Sequence, residues 1–196
     1  MNHTHHTDVG PSMTPGAAYP MRKAGGLFLI FIGLGLVGAI AFSGNALVNY
    51  NLFFVGLGVG VLSIFLTRCR SRTRPSKLQI VALSGALLLQ ALLLIVLRRR
   101  LPPGTEESVQ WLWVLMIVGV HFLPMSLAFG PLFFLLGLLC IGNAGTGLLA
   151  SNLPYELFGI ADGILKISFG VWALRTGSDV PVNPAAPAQA NQAGLR

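Results

Sequence analysis

Charged side chains are scarce in this sequence. Asp, Glu, Lys and Arg make up 10% of the 196 residues, and only 6 residues are acidic. A soluble domain carries roughly 25% charged residues, so the composition excludes an ordinary water-soluble globule. Cysteine is nearly absent as well. Cys69 stands at the end of one apolar run and Cys140 inside another, each without a second Cys or a His close by. That argues against a disulfide framework and against a zinc site. Ser43, Ser84 and Ser168 have no flanking acid or base, and no phosphate loop or haem motif occurs. The pattern is not that of an enzyme, and it implies no cofactor and no metal.

Basic residues outnumber acidic ones, giving a net charge of +7 and a pI near 10.3. In a soluble chain that balance would suggest nucleic acid. Here the Lys and Arg residues stand in short runs between apolar stretches, with no interleaved aromatics. No nucleic-acid partner is expected. The basic runs fit membrane topology and anionic lipid headgroups, above all at the loop 68–77.

The sequence is rich in apolar length: 54% of residues are hydrophobic and the mean hydropathy is +0.72. The runs predict an all-α, polytopic membrane bundle of six transmembrane helices. Residues 1–21 contain Pro11, Pro15 and Pro20 and read as a disordered tail, in which His3, His5 and His6 could bind a transition metal, although a lone tail cluster is more often incidental. Residues 22–175 form the membrane domain and 176–196 a second disordered tail. The first span is Ala24 to Phe42; Ala39-Ile40-Ala41 resembles a signal-cleavage site, but another apolar run follows at once, so the span reads as retained. The second runs from about Leu47 to Thr67 and the third from Leu78 to Leu97. The fourth starts near Gln110, behind the interfacial anchors Trp111 and Trp113. A short connection around Ser126 to Pro131 leads to the fifth, Leu132 to Leu149, and the sixth follows Pro154.

Counting Lys and Arg sets the orientation. With both termini cytoplasmic, Arg22, Lys23, Arg68, Arg70, Arg72, Arg74, Lys77, Arg175 and Arg196 lie inside, and Arg98, Arg99 and Arg100 lie outside. The bias favours N-in and C-in, with the arginine triplet against it. Leu52-Phe53-Phe54 in the second span is echoed by Leu132-Phe133-Phe134 in the fifth, the spacing an inverted three-plus-three duplication would give. Chance explains this echo equally well, because Leu and Phe are common in membrane spans.

The sixth span is the only one with acid and base embedded in apolar sequence. At about 100° per residue, Gly159, Asp162, Gly163, Lys166 and Gly170 share one side of a helix. Asp162 precedes Lys166 by four residues, the favourable order for an ion pair. An unpaired charge in hydrocarbon costs at least about 2.5–3.5 kcal/mol, so the two should neutralise each other. In the N-in topology His121 and Lys166 fall at similar depth, with Asn143 and, less closely, Gln90 near the level of Asp162. These five residues are the candidate mid-membrane site, either lining a pathway or specifying helix packing. Pro124 frees a backbone carbonyl one turn back, which His121 or a neighbour could satisfy. Gly56, Gly60, Gly159, Gly163 and Gly170 are candidate close-packing positions, and they leave room for a homo-oligomer.

Gly119-Val120-His121-Phe122-Leu123-Pro124, followed by Asp162-Gly163-Ile164-Leu165-Lys166, resembles small bacterial membrane proteins of unknown function. In those, a Gly-x-His-Phe-x-Pro segment precedes a last helix with a polar-Gly-x-x-Lys pattern. The resemblance implies a multi-pass protein of the bacterial inner membrane. Asp162-Gly163-Ile164-Leu165 is also similar to a last-helix segment of the urea and amide channel family, from which this chain departs by placing Lys166 beside the acid. The functional expectation is a small transporter or channel around the polar site, or else a structural or partner-binding membrane protein.

Overall fold

The computed structural model describes residues 19, 21–42, 46–70, 76–150 and 152–177. They form six helices and no strand: α1 (Arg22–Ala41), α2 (Ala46–Arg70), α3 (Lys77–Arg100), α4 (Glu107–Phe129), α5 (Pro131–Leu149) and α6 (Tyr155–Thr176). Five of them, all but α2, are long and apolar enough to cross a membrane. In α2 the apolar part is the shorter stretch Asn51–Thr67. The histidines of the N-terminal tail, residues 71–75 of the basic loop and the tail beyond residue 177 lie outside the described residues.

Local chemistry fixes where the helices start and stop. Ser76 and Gln79 form a reciprocal capping box at the head of α3, with Gln79 N–H donating to Ser76 Oγ at 3.2 Å and Ser76 N–H to Gln79 Oε1 at 3.0 Å. At its other end Arg98, Arg99 and Arg100 occupy the last turn, where cations meet the negative end of the helix dipole. The connection expected around Ser126 to Pro131 is corrected to one residue. Helix α4 continues to Phe129, because Ser126 Oγ donates back to Leu123 O and Gly130 N–H caps Ser126 O, both within the helical turn. Gly130 then reverses the chain at φ +101°, a conformation that side chains disfavour. Pro131 starts α5 at a position where its missing N–H costs nothing.

The helices pack in the order α2–α1–α6–α5–α4–α3, and α2 and α3 make at most marginal contact with each other. Where helices touch closely, glycine is the reason. A Cβ added at Gly56 would lie 2.7 Å from Gly35 Cα and 2.7 Å from Phe31 O, so α1 and α2 meet backbone to backbone. Gly60, one turn on, faces Phe28. Between α4 and α5, a Cβ at Gly137 would lie 2.9 Å from Gly119 O. A buried aromatic centre joins α4 and α5: Phe129 and Phe133 stack at 4.8 Å, and Phe122 meets Phe133 edge-on at 6.1 Å.

The packing of α1, α2 and α3 is echoed by α4, α5 and α6. The pair α1–α2 corresponds to α4–α5, and α1–α6 to α4–α3. Helix α3 is the exception: it does not close on α1 and α2 as α6 closes on α4 and α5. It buries only Gln79, Ala82 and Ala86, and presents Leu78, Val81 and Leu88 outward at 64–71% exposure. Such broad apolar exposure on helices of this length suggests a membrane protein, whose outer surface faces lipid.

The glycines make the α1–α2 contact testable. Gly58 has open space where a Cβ would go, so Gly58→Ala should leave the melting temperature unchanged or raise it slightly, by up to about 0.5–1 kcal/mol of stability. Gly56→Ala, half a turn away, should cost about 1–3 kcal/mol through overpacking against α1. Thermal melting of the detergent-solubilised variants reads the difference; equal effects would rule the contact out.

Candidate functional site

The small residues of α6 determine where its charges go. A Cβ at Gly159 would lie 2.2 Å from Ile40 Cδ1, at Gly163 2.5 Å from Val37 Cγ2, and at Gly170 2.7 Å from Gly26 O. These three positions press α6 onto α1. The intervening Asp162 and Lys166 are sealed inside the bundle at 0% and 1% exposure. Lys166 Nζ donates to Asp162 Oδ2 and closes the ion pair one helical turn apart. The ammonium also lies 5.8 Å from the centre of the Phe122 ring, a cation–π distance. Asp162 Oδ1 is buried and has no hydrogen-bond partner among the described residues.

His121 enters from α4 and is buried, at 4% exposure. Its Nδ1 lies 2.9 Å from Val118 O. A carbonyl only accepts, so Nδ1 carries the proton, and in the neutral ring Nε2 remains an acceptor. Pro124 withdraws the amide that would bond Val120 O, yet the ring takes the carbonyl of Val118 instead. The histidine and Lys166 are near enough to interact electrostatically.

Asn143 and Gln90 stand apart from this trio. Asn143 Nδ2 donates to Phe158 O at 2.7 Å, stapling α5 to α6 one turn before Asp162. Gln90 is half-buried on α3 and reaches the others only by facing a shared cavity. The residue that sequence reasoning passed over is Cys140 of α5. It is fully buried and close enough to feel both charges of the pair. Its signal was its place three residues before Asn143, on the same face of α5.

A cavity of about 700 Å³ lies between α1, α2, α3 and α4. That is the size of a small-molecule site, which runs from about 300 to 1,000 Å³. Its walls are aliphatic and aromatic, including Phe28, Ile32, Phe53, Leu57, Leu83 and Val118. His121 and Lys166 supply polar groups deep inside it, and Glu107 and Gln110 stand at one end. Along α4 the lining reaches from Glu107 to Met125, about 27 Å at 1.5 Å per residue. The space exists because α3 stands off from α1 and α2, and the seam between α2 and α3 is its open side. Phe54, Phe65 and Leu87, each more than half exposed, line that seam. Among the described residues no group of His, Cys, Asp and Glu is arranged to hold a metal ion.

Comparison with known proteins adds a family and no activity. A family of unknown function (DUF6609) matches residues 13–182, and the chain belongs to that family. No curated protein and no solved structure matches it, so the likeness to the urea and amide channels gains no support.

Removing one member of the pair leaves the other charged and buried. Asp162→Ala should therefore cost about 3–5 kcal/mol, while Asp162→Ala with Lys166→Ala should recover part of that loss because no orphan charge remains. Melting curves of the single and double variants decide it. A double variant no more stable than the single would refute the pairing as the reason for these residues.

Proposed function

We propose that this DUF6609 protein is a small membrane transporter that binds its cargo in the cavity between α1, α2, α3 and α4. His121 and Lys166 form the polar contact, Asp162 holds the Lys166 ammonium from behind, and Gln90 lies on the wall. The observation that carries the reading is the cavity itself. A bundle whose polar residues served packing alone would close over them, whereas here about 700 Å³ of space reaches His121 and Lys166. The echo between the two halves supports it further. Transporters built from inverted repeats hold their site between the halves and open one seam while the equivalent seam is shut. The α2–α3 seam stands open and its counterpart α5–α6 is packed. No step of the reading is enzymatic.

In this reading the chain crosses the bilayer of a bacterial inner membrane six times, with both termini cytoplasmic. At 25 residues α2 is about 37 Å long, enough to span with its less apolar ends in the headgroups. Arg22, Lys23, Arg68, Arg70, Lys77 and Arg175 belong to helix ends on one side of the bundle, where anionic lipid headgroups would meet them. Glu106, Glu107 and Glu156 belong to the other, beside the arginine triplet. The outward apolar face of α3 also leaves room for a second copy of the chain.

A structural role is the second reading, favoured by one observation: the ion pair is closed on itself and almost fully buried. Thiol labelling separates the two. Gln90→Cys and His121→Cys are made singly in a chain carrying Cys69→Ser and Cys140→Ala, with Ala144→Cys as the fully buried control. Sealed vesicles are treated from each side with a membrane-impermeant maleimide and, separately, with a lipophilic one. The transport reading expects Gln90→Cys and His121→Cys to react with at least one reagent while Ala144→Cys stays protected. Protection of all three positions in folded protein would hand the site to packing.

A further inference from the structure

The proposed cargo site has a chemistry that selects among ligands. Its walls are almost wholly apolar, and its open side is the α2–α3 seam, which in a bilayer faces lipid chains rather than water. A ligand reaching it by that route must itself dissolve in hydrocarbon. The polar groups then decide its head. Asp162 and Lys166 already cancel each other, so an anionic or cationic head would arrive as an uncompensated charge in a low-dielectric cavity, at high cost. At the level of the ion pair, His121 and Lys166 each bring a polar function to the cavity. Lys166 Nζ has three N–H donors, of which Asp162 Oδ2 takes one. His121 Nε2 is an acceptor, since Nδ1 is held by Val118 O. The group that complements a donor and an acceptor lining one cavity, without bringing charge, is a hydroxyl.

Resting on the transport reading above, we infer that the cavity takes a long-chain amphiphile with a neutral hydroxyl head. The chain lies between α2 and α3, and the hydroxyl donates to His121 Nε2 and accepts from Lys166 Nζ. The lining extends about 27 Å along α4 from Glu107 to Met125, which suits an extended chain rather than a compact solute.

Trp111 lines the same cavity and meets Phe53 edge-on at 6.1 Å, so it can report on occupancy. The chain has 3 tryptophans, and Trp113→Phe with Trp172→Phe leaves Trp111 as the sole fluorophore. The full-length protein in nanodiscs is titrated with 9,10-dibromooctadecan-1-ol and with 9,10-dibromooctadecanoate, whose bromines quench tryptophan on contact. The inference expects saturable quenching by the alcohol, competed by unbrominated octadecan-1-ol, at a concentration at least about tenfold lower than for the carboxylate. His121→Leu should abolish that preference, and His121→Gln, which keeps an acceptor, should retain it; unchanged Trp111 emission and melting establish that each is folded. Equal or tighter binding of the carboxylate would overturn the hydroxyl assignment. Quenching by neither, beyond that of a brominated phospholipid, would overturn the amphiphile as ligand. Either failure is distinct from failure of the transport reading, which the maleimide labelling judges separately.

Discussion

The structure depends on α1 lying backbone to backbone against two neighbours at once. Gly26 and Gly33 receive α6, and Gly35 receives α2 at Gly56. In lipid there is no hydrophobic force to drive helices together, so close van der Waals contact between small residues must do it. Only when α6 is held this tightly can Asp162 and Lys166 be shut away from lipid on the side facing α4 and α5. A bulkier seam would tilt α6 outward and bring a charged pair toward hydrocarbon, where it has no partner but itself. The glycines of α1 and the charges of α6 are thus one arrangement.

The two halves of the bundle solve the same packing problem with different outcomes. Helix α6 closes on three neighbours and buries Phe158, Phe169 and the ion pair. Its counterpart α3 sits on α4 alone. Its integrity rests instead on local devices, a capping box at one end and three arginines at the other. A helix stabilised by its own termini can stand away from its neighbours without unfolding. This allows a cavity of about 700 Å³ to exist beside it. The arginine triplet, awkward for a topology rule based on charge counts, has a local explanation in the helix dipole.

Much of the fold was legible because hydrocarbon imposes simple rules. Apolar runs of sufficient length must be helices, since every backbone polar group has to be satisfied within the segment. Helix ends fell where Pro, Gly and basic clusters stand. The Ser126–Pro131 connection was misread because Pro124 and Ser126 suggest a helix end, whereas in α4 the proline is accommodated and the serine bonds back along its own helix. The Asp162–Lys166 pair was legible as well, since their spacing alone allows it. A further signal lay unused: Gly26 and Gly33 are seven residues apart, as are Gly163 and Gly170. That matched spacing is what two antiparallel glycine seams need in order to mesh.

What the sequence determined by itself is therefore local and periodic: six helices, their apolar character, and an acid and a base one turn apart. These follow from hydrogen bonding and helical geometry within a single segment. Only the tertiary structure decided which groups meet across helices. It set Asn143 on the Phe158 carbonyl rather than with the ion pair, buried Cys140 near the pair, and turned His121 to Val118. It also left α3 standing off, so that the polar residues border an apolar cavity. Those outcomes depend on the rotation and depth of each helix against its neighbours, which small residues far apart in the chain set jointly and no single span encodes.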